Sequence, residues 1–480
     1  MNVASISFLA FGLVVALAYN LFRPLWWRQS VLVIANLAFL STFSRAPRTW
    51  IPYGCFLAVS YGCYWLVRNR VPHARLCSVL GILLFFFSLK RYTFLPSSLF
   101  LTSVYATIGL SYVLFRLLHL FIDTGDGLIQ DPIGPLSFLN YTLNFTAIIS
   151  GPIQLFPDYA RDQLQRSRPS LNSVVLGQAV ERLLFGFFKI SILGMIFQAL
   201  QAHALANVPR LHSSPLHLRV LTGVELGLAY PLFLYFNFSG YTDMVIGMAK
   251  GIRLDLPENF DRPFSSLNFL EFWSRWHISL SSWLKTYVYG PLLKLLLGRF
   301  TQSAWAPYLG VFCFFVTFFL VGLWHGRTSV FVAFGVLQGL GVAVNKLYQI
   351  QATTKLGKKG YKKLASMRSY QVVCRGLTFT FFAFSLVWFW SNWQQMAFVL
   401  HSLSAGALII SWVFIFFGAS LFLWAYESVR AVLLTISWKG ATIVTSRYTR
   451  VVWGTALAVV MTVLLTVLAV PAPDVVYKGF

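Results

Sequence analysis

Two histidines, His277 and His325, stand in surroundings that suit proton transfer at membrane depth. An imidazole has an unperturbed pKa of about 6.5 and can take or give a proton at neutral pH. His325 lies between Trp324 and Gly326 in GLWHG, with Gly322 one turn earlier. Small residues there let a substrate or a neighbouring backbone approach closely. His277 lies in EFWSRWHISLSSW. A single histidine of this kind also suits a satisfied core side chain hydrogen-bonded between helices. Ionisable groups are costly in lipid, however, and two of them beside polar chain breaks point to function.

The elements that must position these residues follow from the local pattern. Pro257 and Pro263 interrupt the chain before His277, and Asn259, Asp261 and Arg262 between them suit an irregular polar loop. Asn268 followed by Glu271 resembles a capping box, so a helix is expected from that point. At about 100° per residue, Trp273, Trp276, His277, Leu280, Leu284 and Tyr287 share one face of a single amphipathic helix. Glu271, Arg275, Ser282 and Lys285 share the other, with Glu271 and Arg275 spaced for an i, i+4 ion pair. Such a helix is too polar to cross lipid but suits an interfacial or re-entrant position.

The segment ELGLAYPLFLYFNFSGYTDMVIGMAKG, residues 224–250, contains Pro231, Asn237, Ser239, Gly240 and Asp243. These predict a kinked or broken helix, whose freed backbone must face protein or a water-filled cavity. Asn237, Tyr241 and Asp243 are accordingly expected to line a cavity. In the expected span 97–122, Arg116, His119 and Asp123 share a helical face. They fit either an internal ion pair or the lining of a polar passage. His203, His212 and His217 lack metal-like spacing and read as a solvated loop.

Composition sets the class. Of 480 residues, 57% are hydrophobic and 11% charged, against about 25% charged in ordinary globular chains. The chain is therefore expected to be an all-α polytopic membrane protein forming one membrane-embedded domain over residues 1–480. The net charge of +24 comes from Lys and Arg that punctuate apolar runs. That pattern fits anionic lipid headgroups rather than nucleic acid. The five scattered cysteines, Cys55, Cys63, Cys77, Cys313 and Cys374, form no CxxC pair and read as small core residues. Spans are expected at 4–22, 31–44, 50–67, 76–89, 97–122, 133–150, 176–200, 224–250, 326–350, 371–391, 405–426 and 451–470, and in the apolar run that ends LVGLWHG with His325 at its end. At roughly 20 residues per span, about 11–13 membrane-embedded helices result. Arginines follow the first run instead of preceding it, so it reads as a span with its N-terminus outside, not as a cleaved signal. Polar loops are expected at Asp158, Arg161 and Asp162, and at Lys355 to Arg368, the strongest cytoplasmic mark.

FNFSGYTDM, LPENFDRPF, EFWSRWHISLSSWLKTYVY and GLWHG together resemble the core motifs of the membrane-bound O-acyltransferase (MBOAT) family. The resemblance runs through residues 105–345, with 235–326 the most specific part. It is nearest to the bacterial branch of alginate O-acetylases and D-alanyl transfer proteins of teichoic acid. It implies a ring of helices around a central tunnel in a bacterial cytoplasmic membrane. It also implies an acyl thioester, acetyl-CoA or an acyl carrier protein, as co-substrate from the cytoplasm, with no tightly bound cofactor and no metal. His325 matches the family's catalytic histidine, and His277 matches the second histidine, nearer the donor. Trp324, Trp276 and Arg275 beside them, with Asn237, Tyr241 and Asp243, are the candidate substrate-binding residues. An extracytoplasmic acyl-transfer partner protein is expected.

The sequence departs from the alginate type at Gln338, where relatives often have a further histidine, and at Pro291 to Lys294, where they tend to have PLGG. Acetylation of an envelope polysaccharide is the leading expectation, and D-alanylation of teichoic acid from a carrier thioester the alternative. A secondary transporter with broken midplane helices and a non-enzymatic envelope scaffold are readings from other classes.

Overall fold

Apolar runs punctuated by Pro, Gly and Arg set the first four helices. They are α1 (Ile6–Leu21), α2 (Leu25–Ser41), α3 (Ile51–Arg68) and α4 (Ala74–Lys90). The computed structural model describes residues 3–96, 98, 100, 105–165, 170–300, 302–438, 441–442, 446–468 and 473. Ser5 caps α1 by accepting from the Phe8 N–H. Pro24 ends that run, and Trp26 and Trp27 already belong to α2, which starts earlier than expected. The start of the expected span 97–122 falls largely outside the described residues, and its later part is α5 (Leu110–Gly125).

The expected span 133–150 is helical only over α6 (Pro135–Thr142). Beyond it Asn144 turns its Oδ1 onto the Thr146 N–H and hydroxyl, at 3.1 and 2.8 Å. This local side-chain bonding competes with helix continuation. Asp158, Arg161 and Asp162, expected in a loop, lie instead on α7 (Phe156–Gln163). Helix α8 (Ser173–Phe188) passes through a π-helical segment, Lys189–Gly194, into α9 (Met195–Asn207).

Helix α10 (Leu216–Gly251) is continuous, with Pro231 inside it. Of the kink or break expected over 224–250, a break is absent, at Gly240 as elsewhere. That glycine serves packing instead: a Cβ there would lie 2.7 Å from the Gly186 carbonyl oxygen, so α8 and α10 touch backbone to backbone. Short elements follow: α11 (Phe269–Arg275), α12 (Ile278–Leu284), a π-helical segment Lys285–Tyr289 and α13 (Gly290–Arg299). Then come α14 (Ala306–His325), α15 (Ser329–Ser366), α16 (Arg368–Ser385), α17 (Val387–Trp390), α18 (Trp393–Leu403), α19 (Ala405–Thr435) and α20 (Arg447–Leu468). A two-residue hairpin, Ser437–Trp438 with Ala441–Thr442, separates the last two. The basic stretch Lys355 to Lys363, expected as a loop, is the exposed end of α15, interrupted by a left-handed Gly357 at φ 69°.

The chain divides into two compact units. One holds residues up to Ile190 and Phe238–Glu258, and the other holds Ser191–Asn237 and Asn259–Pro471. Among the described residues, six helical stretches are long and apolar enough to cross a membrane: Ser173–Arg210, Leu216–Gly251, Ala306–His325, Ser329–Ser366, Arg368–Trp390 and Ala405–Thr435. Their outward faces carry side chains such as Ile409, Phe414, Phe417 and Phe422 in the open, an arrangement that lipid and not water tolerates. The molecule is an all-α polytopic membrane protein. Cys55 and Cys77 are exposed, not core residues, while Cys313 is buried. A lipid-facing thiol loses nothing by facing outward, because hydrocarbon is the core's equivalent there.

Candidate active site

His277 is held by a short pairing that the helical pattern conceals. The Asp261 N–H donates to the Arg275 carbonyl and the Ile278 N–H to the Asn259 carbonyl, both at 3.0 Å. Phe260 and Trp276 form an antiparallel bridge between them. Asn259 Oδ1 accepts from the Ser279 N–H at 3.1 Å and from the Ser279 hydroxyl at 2.6 Å. These bonds cut the expected single amphipathic helix in two. Trp276 is extended, and His277 sits in the left-handed region at φ 49°, ψ 52°. For a residue with a Cβ that conformation costs about 1–2 kcal/mol, and such strain gathers at functional sites.

The cap read from sequence is present. Asn268 Oδ1 accepts from the Glu271 N–H at 2.9 Å, and the Glu271 carboxylate reaches back to the Leu267 N–H, also at 2.9 Å. Glu271 and Arg275 form the expected ion pair at 2.8 Å.

His277 is fully buried. Helices α11 and α12 are each seven residues long, too short to span a membrane, and His277 sits on the turn between them. Burial pushes its pKa down to about 3, so the ring is neutral at physiological pH. Its ring meets the Trp324 indole edge-on at 6.2 Å between centroids.

His325 ends α14 and is 3% exposed. Three rings surround it: Trp324 at 4.5 Å, Phe389 at 5.1 Å and Phe334 at 5.8 Å. Phe334 and Phe389 also pack on each other at 5.2 Å. The glycines make this enclosure possible. A Cβ on Gly322 would collide with the Gly335 backbone, and one on Gly326 with the Phe331 ring. Trp324 is thus in ring contact with both histidines.

The other candidates divide. Trp276 is buried among Tyr235, Phe260, Phe264, Phe272 and Phe382. Arg275 is engaged by Glu271. Asn237, buried on α10, belongs with the histidines to the second unit; Tyr241 and Asp243 belong to the first. The Tyr241 hydroxyl accepts from the Ser150 N–H at 3.2 Å. Asp243 pairs with Lys189 at 2.6 Å and Arg182 at 3.3 Å, and Arg182 also holds Glu258 at 2.5 Å. His119 and Asp123 form an internal pair at 2.8 Å. Arg116 instead donates to the Tyr141 and Thr142 carbonyls at 3.0 and 2.9 Å, where the end of α6 leaves acceptors open. His203, expected in a loop, lies on α9 with Nδ1 3.2 Å from Glu225, and the His212 ring stacks on that of His401 at 4.7 Å. Sequence reasoning missed Phe334 and Phe389 as walls around His325 and Asn259 as the pin under His277. Only the Asn259 polarity, in a loop adjoining the motif, carried a signal.

The MBOAT profile, for the membrane-bound O-acyltransferase family, matches residues 25–373. The chain belongs to the membrane-bound O-acyltransferase family. This MBOAT protein is 27% identical over 280 residues to a teichoic acid D-alanyltransferase of Bacillus subtilis, covering 58% of this chain and 67% of that one. It is 29% identical over 298 residues to a probable alginate O-acetylase of Pseudomonas fluorescens, covering 61% and 56%. A probable alginate O-acetylase of Pseudomonas syringae pv. tomato is 33% identical over 247 residues, covering 51% and 44%. The MBOAT chain thus spans between 44% and 67% of the length of these relatives.

Proposed function

We propose that this MBOAT protein moves an acyl group, acetyl first among candidates, from a cytoplasmic thioester to a hydroxyl of a cell-envelope polysaccharide, with His325 as general base. His325 takes the proton of the acceptor O–H, and the oxygen attacks the thioester carbonyl. The C–S bond breaks, the ester C–O bond remains, and the proton passes to the departing thiolate. The observation that carries this reading is a pair of buried imidazoles, His325 and His277, both in ring contact with Trp324. His277, neutral at working pH, is suited to hydrogen-bond the reacting groups without carrying charge. The donor is acetyl-CoA or an acyl carrier protein thioester, the enzyme resides in a bacterial cytoplasmic membrane, and an extracytoplasmic partner completes delivery.

The test is thiol release from acetyl-CoA by the purified protein, followed with a chromogenic disulfide. His325→Ala should lower the rate by at least about a hundredfold with unchanged elution on size exclusion. Full activity in a folded His325→Ala variant removes the base assignment. The name of the Bacillus relative favours a second reading, D-alanyl transfer to teichoic acid from a carrier thioester. Thiol release with D-alanyl carrier protein and none with acetyl-CoA selects it. The transporter reading rested on a broken midplane helix, and α10 is continuous.

A further inference from the structure

Glu427 is the one acidic residue between Glu271 and Asp474, and it stands on α19, a helix long and apolar enough to cross a membrane. An ionisable side chain in such a helix is costly and marks a task. The task is visible in its partners. Glu427 Oε1 accepts from the Ser265 hydroxyl at 2.5 Å, and Arg262 and Arg430 bring Nη1 to 3.9 and 4.0 Å from its two oxygens. From α16, Arg375 Nε donates to the Ser265 carbonyl at 3.2 Å. Ser265 is thus gripped at its hydroxyl by one helix and at its carbonyl by another. Arg375 and Glu427 both lie beyond residues 25–373, which the family profile covers. All of these residues belong to the second unit.

What Ser265 anchors is the loop that holds His277. Arg262 and His277 are both left-handed without being glycine, at φ 46° and 49°. Residues in that region persist only where their surroundings over-determine them. The Ser265 N–H donates to the Arg262 carbonyl at 3.1 Å, and the Asp261 N–H, next in the chain, donates to the Arg275 carbonyl. One short turn therefore joins the grip on Ser265 to the pairing that carries His277. Phe264, inside that turn, packs on Phe379 and Phe382 of α16 at 5.1 and 6.1 Å and on Trp276 at 6.3 Å. Ring packing alone lets a loop slide, whereas the two hydrogen bonds at Ser265 are directional and fix its place.

We infer that Glu427 is a positioning residue for His277: through Ser265 it fixes the left-handed turn at Arg262, and with it the pairing that presents the imidazole. It acts through the loop and not by contact with the ring. The inference rests on the acyl-transfer reading of the two histidines and assigns a residue of the later helices to their site.

Two measurements on the purified full chain test it. In thiol-release kinetics Glu427→Ala should lower kcat by about tenfold or more, with KM for the donor unchanged. Ser265→Ala should do the same, and the double variant should be no worse than either single one, because both remove one contact. Glu427→Gln keeps an acceptor for Ser265 and should recover most of the loss. Modification by diethyl pyrocarbonate, read at each histidine by mass spectrometry, reports without turnover. His277 should be protected in the wild type and in Glu427→Gln, and should react in Glu427→Ala while His325 stays protected. Equal exposure of both histidines means general loosening and overturns the inference. Additive losses in the double variant, or a protected His277 in Glu427→Ala, overturn it as well. A wild type inactive with both acetyl-CoA and D-alanyl carrier protein, yet showing the expected protection pattern, would remove the acyl-transfer reading and leave the tether standing.

Discussion

His277 and His325 look alike in sequence, yet the fold treats them differently. His325 ends a membrane-crossing helix inside a cage of three rings, whereas His277 is a turn residue in a left-handed conformation. Burial lowers the folded-state pKa of His277 to about 3, below its ordinary value of about 6.5. As pH falls below that ordinary value, the unfolded chain binds a proton that the native state refuses. Stability must therefore drop with falling pH and be flat above it. Between pH 7 and pH 5 the wild type should lose about 2 kcal/mol more than His277→Gln. Thermal unfolding in detergent at the two pH values measures this, and an equal loss in both proteins would mean that the ring is solvated.

At the scale of elements, two devices set the site, and each yields a prediction. The first is the pin at Asn259, which holds Ser279 and so the turn at His277. Asn259→Ala leaves the Ser279 N–H without that acceptor and should destabilise the protein by about 1–3 kcal/mol. It should also lower kcat more than KM, because the imidazole loses its fixed position without losing its chemistry. Thiol-release kinetics with a parallel melting curve would separate those effects, and unchanged kcat would argue against a positioning role. The second device is the close approach of α14 and α15 at Gly322 and Gly335. A Cβ on Gly335 would lie 2.5 Å from the Phe319 carbonyl oxygen. Gly335→Ala should cost about 1–3 kcal/mol through overpacking, although alanine is the better helix former by about 1 kcal/mol. Gly418→Ala on α19, with open space around it, should be neutral or stabilising. Similar melting temperatures for the two variants would contradict this packing account.

At the scale of the molecule, charge predicts an orientation. Lys355, Lys358, Lys359, Lys362 and Lys363 crowd the exposed end of α15, and such clusters stay on the cytoplasmic side. In a background with Cys55 and Cys77 replaced, Lys359→Cys should react with a membrane-impermeant maleimide only after the cytoplasmic face is opened. Labelling in intact cells would reverse the topology.

The sequence by itself determined the membrane class, the family motifs, the cap at Asn268 and the Glu271–Arg275 pair. Each of these depends on composition or on neighbours within a few positions. Of the kink or break it implied in α10 it was wrong about the break, and it was wrong about the single helix through His277, because helix continuity there depends on partners remote in the chain or on a paired loop. Gly240 implies a break until Gly186 is known to lie against it, and the pattern from Trp273 to Tyr287 reads as one helix until Asn259 and Asp261 bond across it. Phe389, more than sixty residues after His325, had no local signal at all; only tertiary packing brings that ring to the imidazole.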